Sequence, residues 1–364
     1  MIIKEKIGTA EAFFLVIAAM IEVGTLMGAK DIVDRVGVDA WLVSPLETLT
    51  SLGAIYLITR LGMRFPDRDL VSYSHLIVGR WVSWPLVLAV LVYWVSLAAR
   101  VGRITSEVIK SSLLPRTPAE VVQWTFLLAA AYLASQGLEP LARACIIIVL
   151  VTLPLNLILF LLVVPRIRLD NFLPLLPHGP WPVIKLALWR ISNAEEMSLF
   201  LVLGPFLQKP QEAWRAAGYG YLVVMVVVVT VLTTCQGVLG VEQLRYTVVP
   251  GLAVTQLAEF AGTFIERISL VFVSLWVILV FPTASAVLWA ASYLLGRLLH
   301  LKNYRGLSFG LLPLVYYLAQ RPQNWLEVRS FFFFLQPLGL VVLVGIPALL
   351  YCTALWRFRG RDGL

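Results

Sequence analysis

The chain has 364 residues, 60% of them hydrophobic and only 14% charged, with a formal net charge of +8. That much apolar side chain cannot be hidden in the core of a water-soluble domain of this length, so the composition predicts an integral membrane protein. The basic residues stand singly at the ends of apolar runs, beside anionic lipid headgroups, which speaks against nucleic acid as a partner.

A membrane crossing takes roughly 20 apolar residues. On that measure ten helical spans are predicted, over 9–30, 41–63, 82–112, 119–137, 141–165, 181–207, 214–240, 266–297, 306–321 and 332–357. They leave little chain for a soluble region, so 1–364 reads as one transmembrane domain. The first span follows Lys4 and Lys6 without a small-residue cleavage pattern and reads as a retained span, not a signal peptide. An even count puts both termini on one side, and a cytoplasmic N-terminus also gives that side the larger share of Lys and Arg.

In the first span, Ala12 to Ile21 carry no polar residue, and Glu22 follows with Gly24, Thr25 and Gly28. A carboxylate at that depth costs roughly 2.5–3.5 kcal/mol on the insertion scale, so it must face protein or water. It could meet a ligand ammonium, carry a proton, or pair with Arg100. The glycines weaken the helix at the same depth. The sixth span is interrupted at Ser192-Asn193-Ala194-Glu195-Glu196. Interruptions five spans apart predict a 5+5 inverted repeat, about 9–165 and 181–357, with a site at mid-membrane between broken helices 1 and 6.

In the third span, Tyr93, Ser96, Arg100, Arg103, Ser106 and Glu107 recur every three or four residues and stack near one face, which must line the bundle interior. Arg100 and Arg103 are expected in structural ion pairs. Only the tyrosine is a ligand candidate there, with packing as its commoner role. Toward the eighth span, Glu266 and Arg267 read as a structural pair, Trp276 as packing, and Pro282-Thr283 as an interruption that frees a backbone carbonyl. The proline-rich stretch 164–182 predicts an external cap or re-entrant elbow, and 242–261 an interfacial helix. Three cysteines without CxxC spacing indicate neither a disulfide framework nor a metal site. No Ser-His-Asp, HExxH or phosphate-loop pattern stands in the chain, so neither enzyme activity nor a cofactor is expected.

Set in order, Asp39-Ala40-Trp41, Arg64-Phe65-Pro66, Leu113-Leu114-Pro115-Arg116-Thr117-Pro118, Gly137-Leu138-Glu139 with Arg143, Asp170-Asn171-Phe172-Leu173-Pro174, Glu196, and Phe264-Ile265-Glu266-Arg267 with Trp276 resemble the spore germination permeases. These are the B subunits of nutrient germinant receptors, within the amino acid-polyamine-organocation superfamily, and the likeness covers nearly the whole length. It implies an all-α, ten-helix LeuT-type fold and a small-nutrient pocket, often for an amino acid, between the broken helices and spans three and eight. Pocket positions of the family fall on Gly24, Tyr93, Leu97, Asn193 and Thr283, and the family acid of span six on Glu196 in preference to Glu195. Relatives usually carry Gly-x-Gly in span one with a proline soon after; here Glu22 stands at the first glycine position and the next proline is Pro45. The resemblance implies a germinant-sensing subunit of the spore inner membrane, working with A-type and C-type receptor subunits. The alternative is a stand-alone proton-coupled amino-acid transporter with Glu22 or Glu196 carrying the proton.

Overall fold

The computed structural model describes residues 5–21, 23–257, 268–323 and 325–358. Glu22, Glu266 and Arg267 lie outside the described residues. Within them the chain is almost entirely helical, with one isolated parallel bridge between Ile7 and Leu207.

The first span is broken, but at Ile21, just before the expected stretch 22–28, whose glycines lie inside the helix that follows. Helix α1 (Thr9–Met20) ends where Ile21 leaves helical geometry at φ −80°, ψ 80°, and α2 (Val23–Val36) begins beyond it. There follow α3 (Ala40–Arg64), the short α4 (Leu70–Val78), α5 (Arg80–Ser112), α6 (Ala119–Gln136) and α7 (Leu138–Leu161). The sixth span is α8 (Trp181–Trp189), a 3₁₀ segment Arg190–Leu199 kinked at Ala194, and α9 (Phe200–Leu203). Then come α10 (Ala213–Tyr246), α11 (Pro250–Leu257), α12 (Ile268–Leu298), α13 (Leu307–Gly310), α14 (Leu312–Ala319), α15 (Trp325–Leu340) and α16 (Ile346–Arg357). Among the described residues six helices are long and apolar enough to cross a membrane, and Thr9–Met20 and Leu307–Ala319 are shorter apolar helices.

Several boundaries differ from the hydropathy reading. Helix α4 lies in a stretch read as a connection; Asp69 caps it, accepting from the Ser72 N–H at 2.9 Å. The ninth span divides at Leu311, and the last passes through a π turn, Val341–Gly345, shortly after Pro337. Helix α11 falls within the predicted interfacial stretch.

Contacts between helices rest on small residues at close approaches, because lipid gives apolar side chains no reason to leave it and packing must bind the helices. A Cβ added to Gly220 of α10 would lie 2.8 Å from Val16 Cγ1 of α1, and one on Gly102 of α5 would lie 2.8 Å from Leu127 of α6. Helix α12 is the central post, touching α1, α5, α6 and α7.

Backbone and side-chain ties close both ends of the bundle. At one end the Ile7 N–H donates to Phe206 O (2.8 Å) and the Gln208 N–H donates to Ile7 O (2.9 Å). Glu5 accepts from the Leu138 N–H (2.7 Å) and pairs with Arg305. At the other end the predicted cap, 164–182, folds back onto α10. There Asn171 Nδ2 donates to Gly237 O (2.8 Å), Gln236 Nε2 donates to Asn171 O (3.1 Å), and Asp39 accepts from the Leu176 N–H (2.8 Å). Trp41 meets Phe172 edge-on, so two of the signature pieces dock together.

Candidate functional site

The interruption of the sixth span gathers charge. Arg190 opens the 3₁₀ segment and its Nε donates to Glu47 Oε2 of α3 at 2.7 Å, both side chains being buried. Turning the Asn193 amide so that its oxygen faces the guanidinium lets it accept from Arg190 Nη1 (3.2 Å) and Nη2 (2.5 Å). One step on, Glu195 forms an ion pair with Arg100 of α5, and Trp94 Nε1 of the same helix donates to Ser198 Oγ at 2.8 Å. The broken segment is therefore held by charge from α3 on one side and α5 on the other. Losing one member of such a buried pair costs about 3–5 kcal/mol.

A cavity of about 50 Å³ opens beside these groups, lined by Gly24, Glu47, Arg190, Asn193, Glu195 and Tyr221, with Met20, Val224, Met225 and Val228 as an apolar wall. It is both charged and greasy. Gly28 sits one turn beyond Gly24 on α2, and a Cβ there would lie 3.8 Å from Arg190 Nη2. A methyl at Gly28 would make ordinary van der Waals contact with the guanidinium.

Of the residues singled out from sequence, Gly24 and Asn193 line this cavity and Gly28 borders it; Thr25 lies in α2 between the two glycines. Tyr93, Leu97 and Thr283 do not line it. Tyr93 is packed against α15, where a Cβ on Gly339 would meet its hydroxyl at 2.8 Å. Leu97 is buried in α5. Thr283 Oγ1 donates to Ala18 O at 3.2 Å, bracing α12 against α1 just before the break. Glu196 is buried, yet it is Glu195, one residue past the kink at Ala194 (φ −87°, ψ 27°), that lines the cavity. Arg103 pairs with Glu107 at 3.0 Å and extends through Gln320 to Gln123 of α6. Trp276 lines a second, apolar cavity of about 30 Å³ with Ile21, Asn156 and Phe272. No group of metal-ligating side chains is found among the described residues.

Glu47 and Tyr221 were not anticipated, nor was a site role for Arg190. The charges of Glu47 inside span two and Arg190 inside span six were the available signal, since each requires a partner at that depth.

The profile of the spore germination protein family matches residues 6–328. The chain belongs to that family. It is 27% identical over 363 residues to spore germination protein YndE of Bacillus subtilis (strain 168), covering 98% of both chains. Spore germination protein A2 of the same organism is 25% identical over 76% of each chain, and GerLB of Bacillus cereus is 22% identical over 99% of this chain and 96% of its own. Among solved structures, MhsT in complex with L-phenylalanine superposes with a TM-score of 0.70 at 14% identity, over 96% of this chain and 89% of MhsT. Mhp1, a nucleobase-cation-symport transporter in a closed conformation with bromovinylhydantoin, gives 0.73 at 13% identity, over 99% and 81%. These likenesses show the fold: this member of the spore germination family has the LeuT-type transporter architecture.

Proposed function

We propose that the protein is a nutrient-sensing subunit of a spore germination receptor, binding a small zwitterion such as an amino acid in the cavity beside the two helix breaks. The observation that carries this reading is the cluster of one guanidinium and two carboxylates, from the 190–199 segment and α3, around that cavity. A ligand carboxylate would take Arg190 and its ammonium would take the Glu47 that Arg190 releases, so that one set of ion pairs replaces another while Glu195 stays with Arg100. Met20, Val224, Met225 and Val228 would meet an apolar side chain. Exchange of partners loosens Arg190 from α3, and that movement of the broken segment is the signal passed to A-type and C-type receptor subunits. The family supports a role in germination; the phenylalanine held by MhsT supports an amino acid as cargo for this architecture.

In this reading both termini are cytoplasmic, the membrane is that of the spore, the two breaks are equivalent points of inverted repeats 9–165 and 181–357, and no catalysis, metal or cofactor takes part. The space holds only a few waters at about 10–15 Å³ each, so binding must widen it. The test is thermal unfolding of the detergent-purified chain against a panel of amino acids, nucleosides and sugars. A true ligand at 100 times its Kd adds about 2.7 kcal/mol of stability. If no compound shifts a well-folded protein, the reading fails. The neighbours in fold are transporters, so the stabilising compound is then offered to proteoliposomes; concentrative uptake by this chain alone would make it a transporter and not a sensor.

A further inference from the structure

We propose that a second site, remote from the helix breaks, holds the phosphate of an anionic phospholipid in a basic cavity between α4, the start of α5 and the end of α12. The cavity measures about 200 Å³ and is lined by His75, Arg80, Trp84, Arg297 and His300, with Val71 at its wall.

Its charge is in surplus. The nearby acid, Asp69, is already engaged: it caps α4, accepts from Ser72 Oγ (2.8 Å) and Tyr293 OH (2.8 Å), and pairs with Arg297 (2.5 Å). Arg297 is thereby neutralised, while exposed Arg80 has no carboxylate partner among the described residues. His75 Nε2 is buried with no hydrogen-bond partner among them. Burial first, and the Arg80 cation next, hold the His75 imidazole below its ordinary pKa, against the opposing pull of Asp69. His300 closes the far side. It sits at φ 53° after α12, where the Leu301 N–H donates back to Gly296 O (2.9 Å), so the turn fixes where its ring hangs.

A phosphate oxyanion would meet Arg80, His75 and His300 together. The same chemistry could come from free phosphate, but the surroundings favour a lipid. Trp84 is a wall of the cavity and also part of an exposed stripe on α5. Trp81 (92% exposed), Trp84, Leu88 and Val92 follow at three- and four-residue spacing and run away from the cavity along the outer face. Paired indoles at a span end mark the headgroup level of the bilayer, and an acyl chain has an apolar track directly below the basic cavity. Anionic headgroups are drawn to such juxtamembrane cations.

The test uses the purified full chain in neutral detergent. Phosphatidylglycerol, phosphatidylcholine and inorganic phosphate are added at equal phosphate concentration, with Tm and the number of lipids retained in native mass spectrometry as readouts. Phosphatidylglycerol is expected to raise Tm and leave one retained lipid, with phosphatidylcholine and inorganic phosphate giving less than about half that rise. Arg80→Gln and His300→Gln should each remove at least about half of the rise and the retained lipid, whereas Arg60→Gln, an exposed cation on α3, should not. If Arg80→Gln lowers the lipid-free Tm sharply, His300→Gln decides. Equal shifts in wild type and both variants overturn the proposal. So does an equal loss from Arg60→Gln, which would mean diffuse attraction. A full shift from inorganic phosphate would mean a free-anion site.

Discussion

At the scale of the residue, charges stand where lipid would forbid them. Arg100 and Glu195 bind α5 to the broken segment, and neither can be removed alone without leaving the other at low dielectric. Glu195→Ala is expected to destabilise the detergent-purified protein by about 3–5 kcal/mol, whereas the double replacement Arg100→Met with Glu195→Leu should recover most of that, because two well-packed apolar side chains need no compensation. Thermal unfolding of the three proteins in parallel checks it; equal losses in single and double variants would mean the pair is not coupled. This scale was only partly legible in the sequence. Gly24, Gly28 and Asn193 announced themselves by breaking apolar runs, a local property. Glu47 did not, for its partner Arg190 lies 143 positions away and no periodicity links them. Choosing Glu196 over Glu195 followed the family motif, while it is Glu195, one residue past the kink at Ala194, that lines the cavity.

At the scale of the element, broken helices need rigid neighbours, and α10 supplies one by lying close against α1 at Gly220. Gly220→Ala would push a methyl to within 2.8 Å of Val16 and 3.1 Å of Phe13 O. Neither a helix backbone nor a β-branched neighbour yields easily, so the cost is expected at about 1–3 kcal/mol. A Tm unchanged by the substitution would mean that α1 can slide on α10. The long helices α5 and α12 could be read from hydropathy to within a few residues, and α10 as far as Gly240, where a φ of 71° kinks it before it runs on to Tyr246. The short α4 could not, being too brief for a span and too apolar for an evident surface loop. Nor could the division of the ninth span at Leu311, since tertiary packing and not composition places it.

For the whole molecule, ties between residues far apart in the chain hold each end of the bundle together. Glu5 links the stretch before α1 to the start of α7 and to Arg305, beyond α12, while the Ile7 N–H donates to Phe206 O and Ile7 O accepts from the Gln208 N–H. Glu5→Ala should therefore loosen that end without unfolding the core. Hydrogen exchange is expected to rise over residues 5–12 and 137–141 and to stay level in α10 and α12. Uniformly faster exchange would place Glu5 in global stability instead of in a local latch. The membrane class and the helical architecture were plain from composition, and two signature pieces met as Trp41 against Phe172. The closing contacts of the bundle ends, however, join residues far apart in the chain and carry no pattern that a single sequence displays.

A small nutrient is proposed to enter the charged cavity between α2, α3, the 190–199 segment and α10. Equilibrium binding of the compound that stabilises the wild-type chain, measured on Val228→Phe, addresses it most directly. Val228 forms part of the apolar wall and makes none of the ion pairs, so phenylalanine fills the space while leaving Arg190, Glu47 and Glu195 as they are. The account predicts at least about a tenfold rise in Kd, roughly 1.4 kcal/mol, with native thermal stability in the ligand-free protein. An unchanged Kd in a well-folded variant would contradict it.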